Sequence, residues 1–288
     1  SIKSQFKIKI ALGTAQWGLD YGIANTHGIP SNDELKSIVK LANNVGIDLF
    51  DTAVQYGNAE ERLGQQSISK RKIVTKIGFF SVGNTLIDQI ENSFKNLQSK
   101  SIYGCLFHNC NDLIENKDLW TNLLKYKEAG RIKKIGFSLY EPDVLLELLQ
   151  VGFIPDIVQV PFSILDRKFE PYFDMLKKKS VEIHVRSIFL QGLYFKNPSK
   201  LSGKLIELQA VLTDLHNICL RNKINMLQLC LNFVEQYKNI DYAVIGIETV
   251  AQLQEVTQTN IWELNWESII KSTKHFSMKK ELLNPINW

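Results

Sequence analysis

Three short apolar runs in this chain each lead into a residue that can hold or move a proton. Ile47-Asp-Leu-Phe50 runs into Asp51-Thr-Ala-Val-Gln-Tyr56-Gly57, an acid followed five residues later by a tyrosine in a turn. Ile73-Val-Thr-Lys76 ends in a lysine, and Tyr103-Gly-Cys-Leu-Phe-His108 ends in a histidine. If these runs are neighbouring strands of one sheet, all four polar side chains leave it at the same end. Asp51, Tyr56, Lys76 and His108 then make a proton-donating site. Each alone has a plainer explanation. A strand-terminal Asp caps turns, a Tyr can sit in a core with its hydroxyl at the surface, a Lys can be a solvated strand end, and a buried His can simply be satisfied. Their joint placement at the ends of three consecutive strands is what points to chemistry.

The elements that must position them can be read from apolar patterning. Eight runs are expected to be strands: Ile8 to Thr14, Ile47 to Thr52, Lys72 to Ile77, Tyr103 to His108, Lys133 to Ser138, Ile157 to Pro161, Val181 to Ser187 and Tyr242 to Gly246. Their nearly continuous apolar character suits parallel strands buried on both faces. Helical patterns lie between them. Ser31-x-x-Glu34 reads as a capping box opening a helix with Leu35, Ile38, Val39 and Ala42 on one face, stopped at Gly46. Asp118 to Ala129 repeats that design before Gly130, and Pro142 opens a helix that Gly152 ends. Further helices are expected over Leu86 to Gln98, Phe169 to Lys179, Leu201 to Arg221 and Met226 to Glu235. Eight strand–helix units with no Ser/Gly/Pro-rich linker favour one (β/α)8 TIM barrel, spanning 1–288 as a single catalytic domain. The first strand–helix turn lacks Gly-x-Gly-x-x-Gly, which argues against an open doubly wound sheet. Strand ends in a barrel carry the chemistry, which gives the four residues their weight.

Composition narrows the function classes. The 288 residues are 44% hydrophobic, enough for one large core. The net charge of +4 is small and scattered, so no nucleic-acid partner is expected. Cys105, Cys110, Cys219 and Cys230 form no Cys-x-x-Cys pair and read as reduced core thiols of a cytoplasmic protein. The first residues alternate charge and lack the apolar stretch of a signal peptide, and no apolar run has the length of a membrane span. A monomer is the default expectation, since no apolar stripe is left unassigned.

The Asp-Thr-Ala-x-x-Tyr-Gly string, the strand-end Lys76 and His108, and Tyr56-Gly-Asn-Ala-Glu60-Glu-Arg-Leu-Gly64 resemble the aldo-keto reductase superfamily, and the resemblance spans roughly Ile8 to Glu255. It implies hydride transfer between a nicotinamide cofactor, NADP or NAD, and a small-molecule carbonyl substrate. Tyr56 would be the acid, its phenol made a readier donor by Lys76. Asp51 would hold Lys76, and His108 would donate to the carbonyl oxygen. Gly13 and Thr14 at the first strand end, with Asp51, match the family's cofactor side. Ser138 resembles the serine that contacts the nicotinamide amide, and Gln159 the glutamine beside it. Arg186, Ser187, Leu190 and Gly192 resemble the loop around the pyrophosphate, and Gly246, Glu248, Gln252 and Glu255 the grip on the adenosine end. For substrate, Trp17 and Phe79 join Tyr56 and His108, with Phe80, Tyr21 and Asn109 as further candidates. The C-terminal extension, carrying Trp262, Trp266, Phe276 and Trp288, is expected to line the pocket.

This chain departs from the family's pattern in three places. Leu139 stands where an Asn or a small residue is usual. Arg186 stands where many members stack an aromatic ring; its charge would favour the reduced, neutral nicotinamide over the oxidised cation. No basic residue occurs from Ile240 to Asn260, and Glu248 would repel a 2′-phosphate, which points to relaxed or NADH-leaning specificity. Two other classes remain in view. One is a nucleotide-binding regulatory or sensor protein on the reductase fold with little turnover. The other is a metal-dependent barrel enzyme, which the dispersed His27, His108, His184, His216 and His275 do not favour; no metal is expected.

Overall fold

Eight parallel strands close into a barrel in chain order in the computed structural model of the chain, which describes residues 8–19, 27–70, 72–260 and 263–273. The strands are β1 (Lys9–Gly13), β2 (Leu49–Asp51), β3 (Lys72–Ile77), β4 (Ile102–Phe107), β5 (Ile132–Ser138), β6 (Ile157–Pro161), β7 (Glu182–Arg186) and β8 (Tyr242–Gly246). All lie within two residues of the runs expected from the sequence. Pairing from Lys9↔Tyr242 to Gly13↔Gly246 closes the sheet between β1 and β8.

The two-residue period of a strand sorts the side chains. On β3, Ile73 and Ile77 face the helices, while Val74 joins Ala11, Leu49, Leu106, Ile157 and Tyr242 in the barrel interior. The helical layer covers the outer face. Leu35, Ile38, Val39 and Ala42 of the helix Asn32–Val45 are buried, and each large apolar side chain so removed from water is worth roughly 1.5–3 kcal/mol. Below the apolar layer, the N-terminal strand ends form a polar floor. Glu182 accepts from Tyr103 at 2.7 Å and Lys134 at 2.7 Å, and its other oxygen lies 3.0 Å from His184 Nε2. Asp48 faces Lys72 at 3.4 Å and accepts from the Tyr242 hydroxyl at 3.1 Å. At the C-terminal ends, the next inward positions of the same strands face a cavity.

Several local expectations need correction. Ser31 does accept from Glu34 N at 3.1 Å. The Glu34 carboxylate, however, accepts from Val250 N at 2.7 Å instead of closing the box; an orphan amide at another helix start is a better partner than a local one already near water. The expected helix Phe169 to Lys179 is a 3-10 turn Glu170–Tyr172, with Pro171 in its first turn, followed by Phe173–Lys178. The expected helix from Leu201 begins only at Gln209, after a 3-10 segment Gly203–Leu208 whose Gly203 has φ +58. A short helix Cys110–Glu115 was not expected; Asn109 caps it, accepting from Asn111 N at 3.1 Å. That capping bond is the contact found for the Asn109 side chain, previously a candidate substrate group. Among the described residues, no helix is long and apolar enough to cross a membrane.

Candidate active site

The C-terminal mouth holds a cavity of about 590 Å³ lined by residues from seven of the eight strand ends or the loops after them. Its centre is built on Asp51, the last residue of β2. One carboxylate oxygen accepts from Lys76 Nζ at 2.5 Å and the other from Gln159 Nε2 at 2.7 Å. Three strands are thereby joined through one buried side chain. Lys76 also donates to Thr52 O at 3.0 Å and is 1% exposed. A buried pair costs desolvation unless its remaining donors and acceptors are satisfied, and these bonds supply that.

Tyr56 enters from the turn after β2. Gly57, at φ +57, and Gly18 pack backbone against backbone: a Cβ on Gly57 would lie 2.4 Å from Gly18 O, and one on Gly18 would lie 1.9 Å from Tyr56 O. Side chains are therefore excluded there, and the turn seats the Tyr56 ring 5.1 Å from Lys76 Nζ. Burial pushes the Tyr56 phenol up, and the Lys76 ammonium pulls it back only in part, so the net direction is upward. The sequence expectation of a depressed phenol does not hold for the chain by itself. Burial alone would lower Lys76, but Asp51 and Tyr56 outweigh it and the ammonium is held on.

His108 meets Tyr56 edge to face, with ring centroids 5.8 Å apart. Burial, then repulsion by Lys76 and Arg186, pushes the imidazole down to about 3. The ring is neutral at ordinary pH, with its Nδ1 3.1 Å from Gln55 Oε1.

The other expected positions divide in two. Gly13, Thr14, Ser138, Arg186, Ser187, Gly192, Gly246, Glu248, Gln252 and Glu255 line the cavity. Several of them are engaged already. Gln252 Oε1 accepts from Glu248 N at 2.8 Å and its Nε2 lies 3.3 Å from Glu248 Oε2, as part of a helix cap. Arg186 donates to Leu139 O at 2.8 Å and lies 4.6 Å over the Tyr140 ring. The rest do not line it. Trp17 is fully buried and donates to Ile247 O at 3.1 Å, because a one-turn helix after β1 turns the indole into the core. Leu190 is also fully buried, so the next residues, Gln191 and Gly192, present the loop to the cavity. Phe79 is 56% exposed with its ring 6.3 Å from His108, beside the cavity rather than in its lining. Phe80 packs on Phe107. Trp266 packs on Phe233, and the helix Trp266–Thr273 meets Arg167 away from the cavity. Tyr21, Trp262, Phe276 and Trp288 lie outside the described residues.

Sequence reasoning missed Gln16, Tyr140, Phe189 and Gln191 in the lining, and Gln55 behind His108. Only Gln16 carried a signal, as an amide directly after a strand end. Its Oε1 is buried without a hydrogen-bond partner among the described residues.

The comparisons with known proteins agree with this architecture. The barrel superposes on an aldo-keto reductase from Bacillus halodurans in its holo form with a TM-score of 0.72, at 18% identity, covering 94% of this chain and 95% of that one. It superposes on a glycerol dehydrogenase from Gluconobacter oxydans with the same TM-score of 0.72, at 18% identity, covering 92% and 90%. At such identities the likeness speaks for the fold. In sequence, 139 residues are 27% identical to an uncharacterized oxidoreductase of Schizosaccharomyces pombe, 44% of this chain and 50% of that protein. The chain thus matches about half the length of that curated relative. Residues 9–275 match the Aldo/keto reductase family, and with nearly the whole barrel inside that match, the chain belongs to that family.

Proposed function

We propose that this chain is an oxidoreductase that reduces an aldehyde or ketone to the alcohol with NADH or NADPH. The observation that carries the reading is the Asp51–Lys76 pair beside Tyr56 on the wall of the cavity. In the cavity, a reduced nicotinamide would supply hydride to the carbonyl carbon. Tyr56 Oη would give its proton to the carbonyl oxygen as negative charge gathers there. Lys76, held cationic by Asp51, lowers the cost of the phenolate left behind. Gln159 steadies Asp51 through its Nε2, and its Oε1, with no partner among the described residues, is a free acceptor for an amide.

The lining suits a dinucleotide. A Cβ on Gly246 would come within 2.5 Å of the Gln16 amide, and one on Gly13 within 3.3 Å of Gly246 N, so both glycines keep a cradle open. Ser187, Leu190, Gln191 and Gly192 have φ of 56, 46, 53 and 89. Left-handed residues close together turn backbone amides toward one side, which is how peptide loops hold phosphates.

For the adenosine end we favour NADH-leaning specificity. Among the described residues that line the cavity, Arg186 is the one Lys or Arg. At the start of the helix Val250–Thr257 the amides are already engaged, those of Glu248 and Thr249 by Gln252, and that of Val250 by Glu34. Two carboxylates, Glu34 and Glu248, therefore stand where a helix N-terminus would otherwise welcome a 2′-phosphate. Titrating the purified chain with NADH and NADPH, read by tryptophan fluorescence, is expected to give comparable or tighter NADH binding. Tight NADPH with weak NADH binding would overturn the preference, and binding of neither would overturn the reductase reading. The same reading places the catalysis in one barrel acting on small carbonyl compounds.

A further inference from the structure

Tyr56 sits in a loop whose two ends are both tied to β3. Two residues before it, Val54 N donates to Lys76 O at 3.0 Å. Four residues after it, Glu60 Oε2 accepts from the Thr75 hydroxyl at 2.7 Å. Thr75 and Lys76 are consecutive, so one strand segment holds the loop on both sides and carries the ammonium beside the Tyr56 ring. The first tie is backbone, and any residue but proline could make it. The second needs two particular side chains, one on the helix Ala59–Gly64 and one on the outer face of β3. That helix has six residues, too few to be stable alone, so its orientation depends on what it meets. Glu60 is 4% exposed and Thr75 1%. Burial pushes the Glu60 carboxyl up, and the side chains of Thr75, Ser93 and Asn96 pull it back only in part. Among the described residues no cation acts on it. A buried acid without a cation is a poor stabiliser, and an apolar side chain of similar size would carry no such desolvation cost.

We propose that Glu60 is a positioning residue for proton transfer: by taking the Thr75 hydroxyl it fixes how far the Tyr56 ring stands from Lys76 and His108. This role rests on the reductase reading above. The bond acts through the backbone. Ala59 N donates to Tyr56 O at 3.0 Å, so the first turn of the helix is continuous with the Tyr56 carbonyl. The backbone contact between Gly57 and Gly18 sets where the chain passes. The Glu60–Thr75 bond sets how the helix is rotated about that contact, and hence where the ring points. The far end of the helix is seated by shape, since a Cβ on Gly64 would lie 2.1 Å from Asn96 O. Without the bond the ring stays buried but no longer has one distance to Lys76. Proton transfer is steep in such distances, and a displacement of about 1 Å can cost on the order of 10²-fold in rate. Ser138, Gln159 and Arg186 line the cavity from other strands, so cofactor affinity lies outside the reach of this bond.

The test compares Thr75→Val, which keeps the shape of the strand residue, with Glu60→Leu and Glu60→Gln in the full chain. The Tyr56–His108 contact is read without turnover, from nuclear Overhauser effects between ring protons of chain labelled at tyrosine and histidine and assigned with Tyr56→Phe. The contact is expected in the intact chain and weakened in Thr75→Val and Glu60→Leu. For reduction of 4-nitrobenzaldehyde by NADH or NADPH, kcat is expected to fall about tenfold in both variants, with KM and cofactor affinity preserved. Carrying both changes should lower kcat no further than one alone, since they remove the same bond. Glu60→Gln, whose amide oxygen can still accept from Thr75, should recover most of the kcat and the ring contact. If Glu60→Leu does not fold, Thr75→Val decides the matter. A lower melting temperature with kcat and ring contact unchanged would make the bond merely stabilising and overturn the proposal. Losses in Glu60→Gln equal to those in Glu60→Leu would overturn it too. Absence of turnover in the intact chain would sink the reductase reading alone, since the ring contact still reports whether Glu60 positions Tyr56.

Discussion

The two ends of the barrel are made from the same strands and the same inward-facing positions, yet they treat charge in opposite ways. On β3, Lys72 lies at the floor and Lys76 at the mouth; on β7, Glu182 lies at the floor and Arg186 at the mouth. At the floor, Glu182 is shared among Tyr103, Lys134 and His184, and Asp48 among Lys9, Lys72 and Tyr242. Each charge there meets an opposite charge or a phenol. At the mouth, Asp51 and Lys76 neutralise each other, but Tyr56, His108 and Arg186 keep polar atoms beside open space. A strand's alternation therefore decides which residues point inward, while their partners decide whether they stabilise or react.

The largest break in that comparison should come from removing one lysine at each end. Lys76→Met leaves Asp51 buried without its cation and is expected to cost about 3–5 kcal/mol in urea unfolding, together with most of the turnover. Lys134→Met removes a partner that is 32% exposed and leaves Glu182 its bonds from Tyr103 and His184. It is expected to cost about 1 kcal/mol or less and to leave kcat unchanged. Similar losses at the two sites would erase the distinction.

A smaller effect separates the ends by pH. Burial alone would raise the Glu182 carboxyl, but bonds from His184, Lys134 and Tyr103 bring it from 4.5 down to about 2. Its folded value lies below its unfolded one, so its contribution is complete above about pH 4.5. It is lost as pH falls through about 2. Melting curves between those limits should show roughly 2 kcal/mol of loss that Glu182→Gln lacks. A parallel slope in the variant would show that the floor does not hold that charge. The smallest effect belongs to Arg186, whose charge remains on the cavity wall although its plane lies over Tyr140. Arg186→Tyr should lower the ratio of reduced to oxidised cofactor affinity by roughly fivefold, about 1 kcal/mol of repulsion. No change in that ratio would remove Arg186 from cofactor discrimination.

Much of this architecture was legible before any coordinates. Strands buried on both faces are short unbroken apolar runs, so all eight were recognisable, and a polar residue closing such a run marks the mouth. Asp51, Lys76 and His108 were found that way, Tyr56 by its place in the turn five residues after Asp51, and the structure brings their side chains together. Side-chain direction after a strand was not legible. Trp17 and Leu190 were placed in the pocket because of where they fall in the chain, and backbone turns send both into the core. Long-range partners were equally hidden. Glu34 fits a local cap in sequence but bonds an amide 216 residues away. Gln55, an unspecified position in the Asp-Thr-Ala-x-x-Tyr-Gly string, shows its connection only once β3 and β4 bring Gly78 and His108 beside it.

The most direct test of the mouth as a reducing site is NADH- or NADPH-dependent carbonyl reduction by the intact chain beside Tyr56→Phe. That change deletes one hydroxyl and leaves the ring and the Asp51–Lys76 pair. The expected result is measurable reduction by the intact chain and a loss of about 10²–10⁴-fold in the variant, with cofactor affinity and melting temperature preserved. Equal turnover in both, or none in either despite bound cofactor, would contradict Tyr56 as the proton donor and the mouth as a reductase site.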